Sequence, residues 1–526
     1  MIGSRTGLPA FAFAAALALA GCGSSSNSAL SVAVIGEAGD PFGTGLQRPL
    51  AGQLTHAATT EGLVSFDEKG RVIPALADRW IVTDDGLSYI FRLRDGNWLT
   101  GDPLTAQSAK RALDSALDAL KDTPLELDLA GIDETRAMAG RVIEIRLRRP
   151  MPYLLQLIAQ PELGLVHKDR GAGPMRLERD QAIARMVPID PSRLGLPAIE
   201  NWARRTRRVD LRALGGPAAV NAFNDGKVDI VMGGEIQDFP LTRSVGILRG
   251  TIQLDPVVGL FGLQVMNDKG FLADPANREA IAMAIDRDAL IAPFGVGGWT
   301  ATTRLVTPSL DGDLGTIGER WTNQSMDERR GVAAARVRRW EGNPAPVAAP
   351  LASSDAQPVR LARKIFQRSP KAPASTSLAE RAPQLVLWLP GGEGADTLFD
   401  KLSSDMAAIG IRLVRTQDAA TADLALVDDI ARYPRAAWFL NRLSCRARHG
   451  ICSTEADARA EEAAVTQSPA ERASLLAEAE AELTAANVFI PFGTPIRWSL
   501  VRGSVDGFAP NTWGWHPLMP LAWVPK

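Results

Sequence analysis

The sequence predicts an α/β chain of several domains, and three observations carry that expectation. Residues 61–104 form a series of short β runs separated by turn signals, and a helix closes the series. A strand, helix, glycine and second strand follow one another between Gln384 and Val414. The 526 residues exceed one hydrophobic core and suit about three domains at ~150 residues each.

Each element has a local reason. Asp67-Glu68-Lys69-Gly70, Asp84-Asp85-Gly86, Asp95-Gly96 and Gly101-Asp102-Pro103 are turns, since each joins a turn-tolerant side chain to a residue that permits unusual φ. Between them Trp80-Ile81-Val82 and Tyr89–Arg94 have strand composition, so the stretch reads as a half-buried antiparallel meander. Thr105 stands at an N-cap, and Ala109, Ala112, Leu113, Ala116, Leu117 and Leu120 recur on one helix face. Position N3 is Ser108, so the capping box is expected to be incomplete. Arg141–Arg148 alternates as a strand with one wet, mostly basic face. Arg204, Arg205, Arg207, Arg208 and Arg212 form either an anion site or a solvated face, the second being the ordinary outcome. Gly226 suits the end of a helix, and Asp229 opens a buried strand. Asp274 with Pro275 starts a helix, in which Arg278 and Asp286 are expected to be structural ion-pair partners. From Asp311 to Pro383 the order weakens, and 341–383 reads as a Pro/Ala-rich exposed excursion. Thr397–Ile409 is an amphipathic helix ended by Gly410, Asp423–Val427 a buried strand and Leu475–Leu483 a late helix. The Trp-rich tail, Trp513 to Trp523, is expected to pack in the core.

Composition narrows the function. With 58 basic against 60 acidic residues, nothing points to nucleic acid or to a polybasic membrane patch. Arg5, the apolar run Phe11–Ala20 and the small residues after it make a leader too short to span comfortably. Leu19-Ala20-Gly21-Cys22 resembles the bacterial lipobox, which implies a signal peptide over 1–21, a lipidated Cys22 and a flexible tether over 22–30. The alternative is an ordinary secretory signal with a coincidental cysteine. Cys445 and Cys452 then remain, close enough to shut a short loop in an oxidising compartment, and are expected to form a disulfide. A metal or redox pair is the rival reading. It is weak because no CxxC is present and His56, His167, His449 and His516 are scattered, so no metal or cofactor is expected. GxSxG, HExxH and Walker A motifs are absent, and no enzyme is expected, although two-carboxylate chemistry stays open.

The order Glu61-Gly-Leu-Val64, Pro74-Ala-Leu-Ala77, Asp84-Asp-Gly-Leu-Ser-Tyr89, Leu93-Arg-Asp-Gly96 and Pro103-Leu-Thr-Ala106 closely resembles extracytoplasmic solute-binding proteins of the peptide/nickel type, family 5, which feed ABC importers. Ala222–Asp229 and Asp274–Arg287 resemble further signatures of that family. The resemblance implies a periplasmic-binding-protein-like type II fold of two lobes joined by hinge strands, with an extra subdomain. Lobe I would comprise 31–58, 172–262 and 486–526, the extra subdomain 59–171 packed on it, and lobe II 263–485. Hinge flexing is expected at Val265, Met266 and Asn267 and at Ile490, Pro491 and Phe492. The expected partners are a peptide or similar organic solute, ABC permease and ATPase subunits, and the membrane through the lipid alone. The protein would be a periplasmic monomer.

Peptide capture needs a carboxylate for the ammonium group, and the resemblance places it on a loop holding Asp428 and Asp429. Trp299 and Thr302, after the glycine run 295–298, are further ligand candidates by position. One departure counts against peptides specifically: Arg432-Tyr433-Pro434-Arg435 stands where an aspartate near proline is common. Residues 36–60 also lack the family's aromatic entrance pattern, and with the weakened stretch from Asp311 to Pro383 this makes a binding-fold lipoprotein serving as sensor, chaperone or envelope scaffold the alternative.

Overall fold

The computed structural model describes residues 29–246, 250–307, 310, 317–342, 382–447 and 450–525. The expected leader, Cys22, nearly all of the tether, His449 and most of the Pro/Ala-rich excursion lie outside them.

Lobe I is built on a seven-stranded sheet. Its order is Ile252–Asp255, Arg497–Val501, Ile230–Gly234, Leu30–Ile35, Val209–Leu214, Ile183–Pro188, Met175–Asp180. The central strand, Leu30–Ile35, runs parallel to both neighbours. Its side chains alternate between faces, so Val32 and Val34 join Leu211 in one core while Ala33 joins Val231 and Trp498 in the other.

Lobe II has five strands in the order Arg412–Thr416, Gln384–Trp388, Leu424–Ile430, Gly259–Val265, Phe489–Gly493. Every residue of Gly259–Val265 is buried, because strands flank it on both edges and the core holding Phe261, Leu263 and Val265 covers it. The extra subdomain carries an antiparallel sheet ordered Ala77–Val82, Ser88–Leu93, Val142–Leu147, Ile132–Ala137. Ile143, Ile145 and Leu147 face inward beneath the helix Ala106–Ala119, as their alternation requires.

Four expectations change. The hydroxyl of Ser108 accepts the Thr105 N–H at 3.0 Å, and the Thr105 hydroxyl accepts the Ser108 N–H at 3.1 Å, so the capping box is complete. A hydroxyl has the acceptor lone pairs that the rule assigns to Glu or Gln. Second, Arg278 pairs with no carboxylate among the described residues. Its guanidinium donates to the carbonyls of Ala486, Leu272 and Ala273, while Asp286 caps a short helix through the Ala289 N–H.

Third, the chain crosses between lobes at 256–258 and returns at 494–496, each time between a lobe I strand and a lobe II strand. Val265 and Ile490–Phe492 are instead held inside the lobe II sheet, and Asn267 is tied to Asp423 at 3.0 Å. Val265 ends a strand paired on both edges and Ile490–Phe492 are bonded along the one paired edge of the outermost strand, so a hinge rotation at either would break ladder hydrogen bonds. Fourth, the subdomain packs on lobe II as well as lobe I. One apolar core unites Leu125, Leu157 and Leu163 with Trp438, Leu440 and Leu483 of the late helices.

Candidate functional site: the interlobe cleft

A cleft of about 840 Å³ lies where lobe I, lobe II and the subdomain meet. Its wall at the lobe junction is made by strand residues flanking the crossovers, Asp255 before the first and Arg497 after the second. Strand Leu424–Ile430 ends there against Gly259, where any Cβ would overlap the Asp429 carbonyl oxygen, so only glycine lets this strand end pair closely. Asp428 and Asp429 are thus strand residues rather than loop residues, and both line the cleft.

Their states differ. Asp429 is exposed, whereas Asp428 is nearly buried and accepts from Arg497 Nη1 at 2.7 Å, with Arg497 Nη2 donating to the Asp428 carbonyl at 2.8 Å. Burial outweighs that pairing and raises the Asp428 carboxyl to about 7, with Glu235 and Asp429 adding like-charge repulsion. Burial pulls Arg497 down, but Asp428, Glu235 and Asp429 together outweigh it and raise the guanidinium above its ordinary value. Glu235 lies 3.6 Å from Arg497, and Asp255, in register opposite Arg497, holds His516 at 3.1 Å. Asp428 Oδ2 and Gln237 Oε1, both buried in the cleft wall, have no hydrogen-bond partner among the described residues.

The opposite wall comes from the subdomain and the segment after the strand. Arg432 bonds Glu162 at 2.9 Å and Gln160 at 2.9 Å. Asp128, on the subdomain helix Pro124–Leu129, accepts from Tyr433 Oη at 2.9 Å, Asn441 at 2.8 Å and Arg442 Nη2 at 3.2 Å. Burial pushes the Asp128 carboxyl up, with Arg442 chiefly opposing. Tyr433 stacks on Tyr153 at 4.5 Å. These contacts join lobe II to the subdomain, and Gln160, Glu162, Arg432 and Arg442 among them line the cleft.

The structure brings Asp428 and Asp429 together but leaves Trp299 and Thr302 out of the cleft lining. Trp299 donates to the Thr494 carbonyl at 2.9 Å, and Thr302 to Glu319 at 2.6 Å, so both serve the packing under the second crossover. Cys445 and Cys452 are joined in a disulfide, with Cα atoms 5.0 Å apart. Of the arginine cluster, Arg204, Arg205 and Arg208 are exposed, with Arg208 paired to Asp210 and Arg205 over Trp523, whereas Arg207 and Arg212 are half-buried and their Nε atoms have no hydrogen-bond partner among the described residues. The tail departs from expectation, since Trp513 and Trp515 are half-buried in the cleft wall. Arg497, Glu235, Trp438 and Arg442 were not singled out by the sequence; the Trp438 and Arg442 spacing of one helical turn was the available signal.

Two lobes with a polar cleft crossed by two strand connections are the architecture of a solute-binding protein of the bilobal type II class. Residues 71–413 match the model of bacterial extracellular solute-binding proteins, family 5 (middle), and the chain belongs to that family. It is 26% identical over 308 residues to the "Probable deoxycholate-binding periplasmic protein YgiS" of Escherichia coli K12, covering 53% of this chain and 57% of that one. It is 23% identical over 300 residues to the periplasmic oligopeptide-binding protein OppA of the same organism, covering 51% and 54%. The chain thus spans about half the length of the curated relatives it matches. The crystal structure of Haemophilus influenzae OppA in complex with RPPGFSPFR superposes with a TM-score of 0.73 at 16% identity, over 95% of this chain and 100% of that one.

Proposed function

We propose that the protein is the extracytoplasmic, lipid-anchored binding component of an ABC importer, capturing a peptide or similar organic solute by closure of the two lobes. One observation carries the reading: the interlobe cleft presents two buried acceptors, Asp428 Oδ2 and Gln237 Oε1, with no partner among the described residues. Buried polar groups of that kind are matched in working proteins, and a solute is the group that enters a cleft. Asp428 and Asp429 would receive a cationic group, and the crossovers at 256–258 and 494–496 would flex. Cys22 would carry the lipid.

A second reading, a binding-fold lipoprotein acting as sensor or scaffold, is favoured by the internal arginine. Arg497 already satisfies half of Asp428 without any solute. Native mass spectrometry of the protein purified without denaturant from its own periplasm separates the two. A discrete added mass lost on partial unfolding is expected, and Asp428→Asn with Asp429→Asn should abolish its retention. A clean apo mass in every preparation would shift the conclusion to the second reading.

A further inference from the structure

Two buried donors face the same cleft from its other end. Trp438 and Arg442 are one turn apart on the helix Ala436–Leu443, and the Arg442 guanidinium lies over the Trp438 ring at 5.2 Å. Trp438 is 1% exposed. Its indole Nε1 and Arg442 Nη1 are both buried without a hydrogen-bond partner among the described residues, and both residues line the cleft beside Leu120 and Pro124. Arg442 Nη2 is spent on Asp128, so Nη1 is the arm left for something else.

The surroundings give the sign of that missing group. Three arginines, Arg48, Arg432 and Arg442, line this end together with one carboxylate, Glu162, which pairs with Arg432, while Asp128 pairs with Arg442 from outside the cleft lining. The Arg48 carbonyl accepts from Gln53 Nε2 at 2.8 Å, but its guanidinium has no hydrogen-bond or ion-pair partner among the described residues. The lobe-junction end has the reverse balance, with Asp428, Asp429, Glu235 and Asp255 around Arg497 and His516. A buried N–H pair in a locally cationic wall suits a planar oxyanion, which can accept from an indole and a guanidinium at once. A neutral carbonyl would leave the excess positive charge uncompensated.

We propose that Trp438 Nε1 and Arg442 Nη1 form an oxyanion subsite, so that the captured solute is dipolar, with a carboxylate-type group at the subdomain end and its cationic group at the lobe junction. This rests on the cleft being the solute site. It gives the solute a direction in the cleft. It also couples ligand to closure, because the arginine that holds the oxyanion is the one whose other arm crosses to Asp128.

The test is titration of the ¹⁵N-tryptophan-labelled full chain, followed by its indole N–H resonances, with sodium acetate and with acetamide at matched ionic strength. Trp438→Phe identifies the resonance. Acetate should move it saturably, in roughly the millimolar range or tighter, and acetamide roughly tenfold more weakly. Arg442→Met should abolish the acetate shift, and the other indole resonances report whether that variant is folded. Arg442→Lys, which keeps the charge and loses the fork, should retain a weakened response. A Trp438 resonance indifferent to acetate overturns the subsite, and an equal response to acetamide overturns its anionic character. A retained solute with an unresponsive Trp438 would sink the subsite alone. An acetate-responsive Trp438 in a protein that never retains solute would keep the subsite and remove the capture function.

Discussion

At the lobe junction Asp428, on the lobe II strand Leu424–Ile430, is held by Arg497, the first lobe I residue after the returning crossover. At the subdomain end the carboxylate, Asp128, and its donors, Tyr433, Asn441 and Arg442, sit on bodies with no strand in common. The first pair bridges the lobes beside the crossovers, where a rotation about them moves its partners least. The second depends on how lobe II rests on the subdomain, while the first tunes charge. Similar ion-pair chemistry thus has different consequences, decided by whether the backbone already holds the partners together.

The largest expected effect breaks the second pair. Asp128→Ala removes the acceptor of three buried donors and leaves the Arg442 cation uncompensated, a loss of about 3–5 kcal/mol in the closed arrangement. Thermal melting should drop, and small-angle X-ray scattering should show a larger radius of gyration for the variant. If both stay at wild-type values, closure does not run through Asp128.

A smaller effect sharpens the contrast at the junction. Asp428 is raised to about 7 from 3.8, so through that window the folded protein holds a proton that the unfolded chain has released. Stability from this group therefore falls as pH rises from about 4 to 7. Asp428→Asn, which cannot ionise, should gain on wild type by a few degrees of melting temperature between pH 5 and pH 8. Melting curves for the two proteins that stay parallel across that range would show that Arg497 alone sets the charge of Asp428.

Local pattern made the scaffold readable. The alternation Ile143, Ile145, Leu147 and the helical spacing of Ala109, Ala112 and Leu113 are each settled within one element, and all six are buried. Asp428 and Asp429 were readable as a pair because they are adjacent. Their setting was not, since Arg497 stands 69 residues away and the Asp128–Arg442 bond spans 314. Periodicity carries no information at that range. The crossovers had a legible mark in Pro256 and Pro495, one in each three-residue connection, where a ladder N–H is not needed. The apolar content of Gly259–Val265 marks burial, and burial in a central strand argues against a hinge there.

The smallest expected effect separates the arms of Asp128. Tyr433 and Asn441 both donate to Oδ1, while Arg442 holds Oδ2. Tyr433→Phe deletes one of two donors to the same oxygen and keeps the ring stacked on Tyr153, so no acceptor is orphaned. The loss should be about 1 kcal/mol, well under that of Asp128→Ala. Melting of the single variants and the double variant forms a cycle in which Tyr433→Phe should cost nothing further once Asp128 is alanine. A full, additive cost in the double variant would mean that the tyrosine acts through its packing against Tyr153, and that the closure contact rests on Asn441 and Arg442.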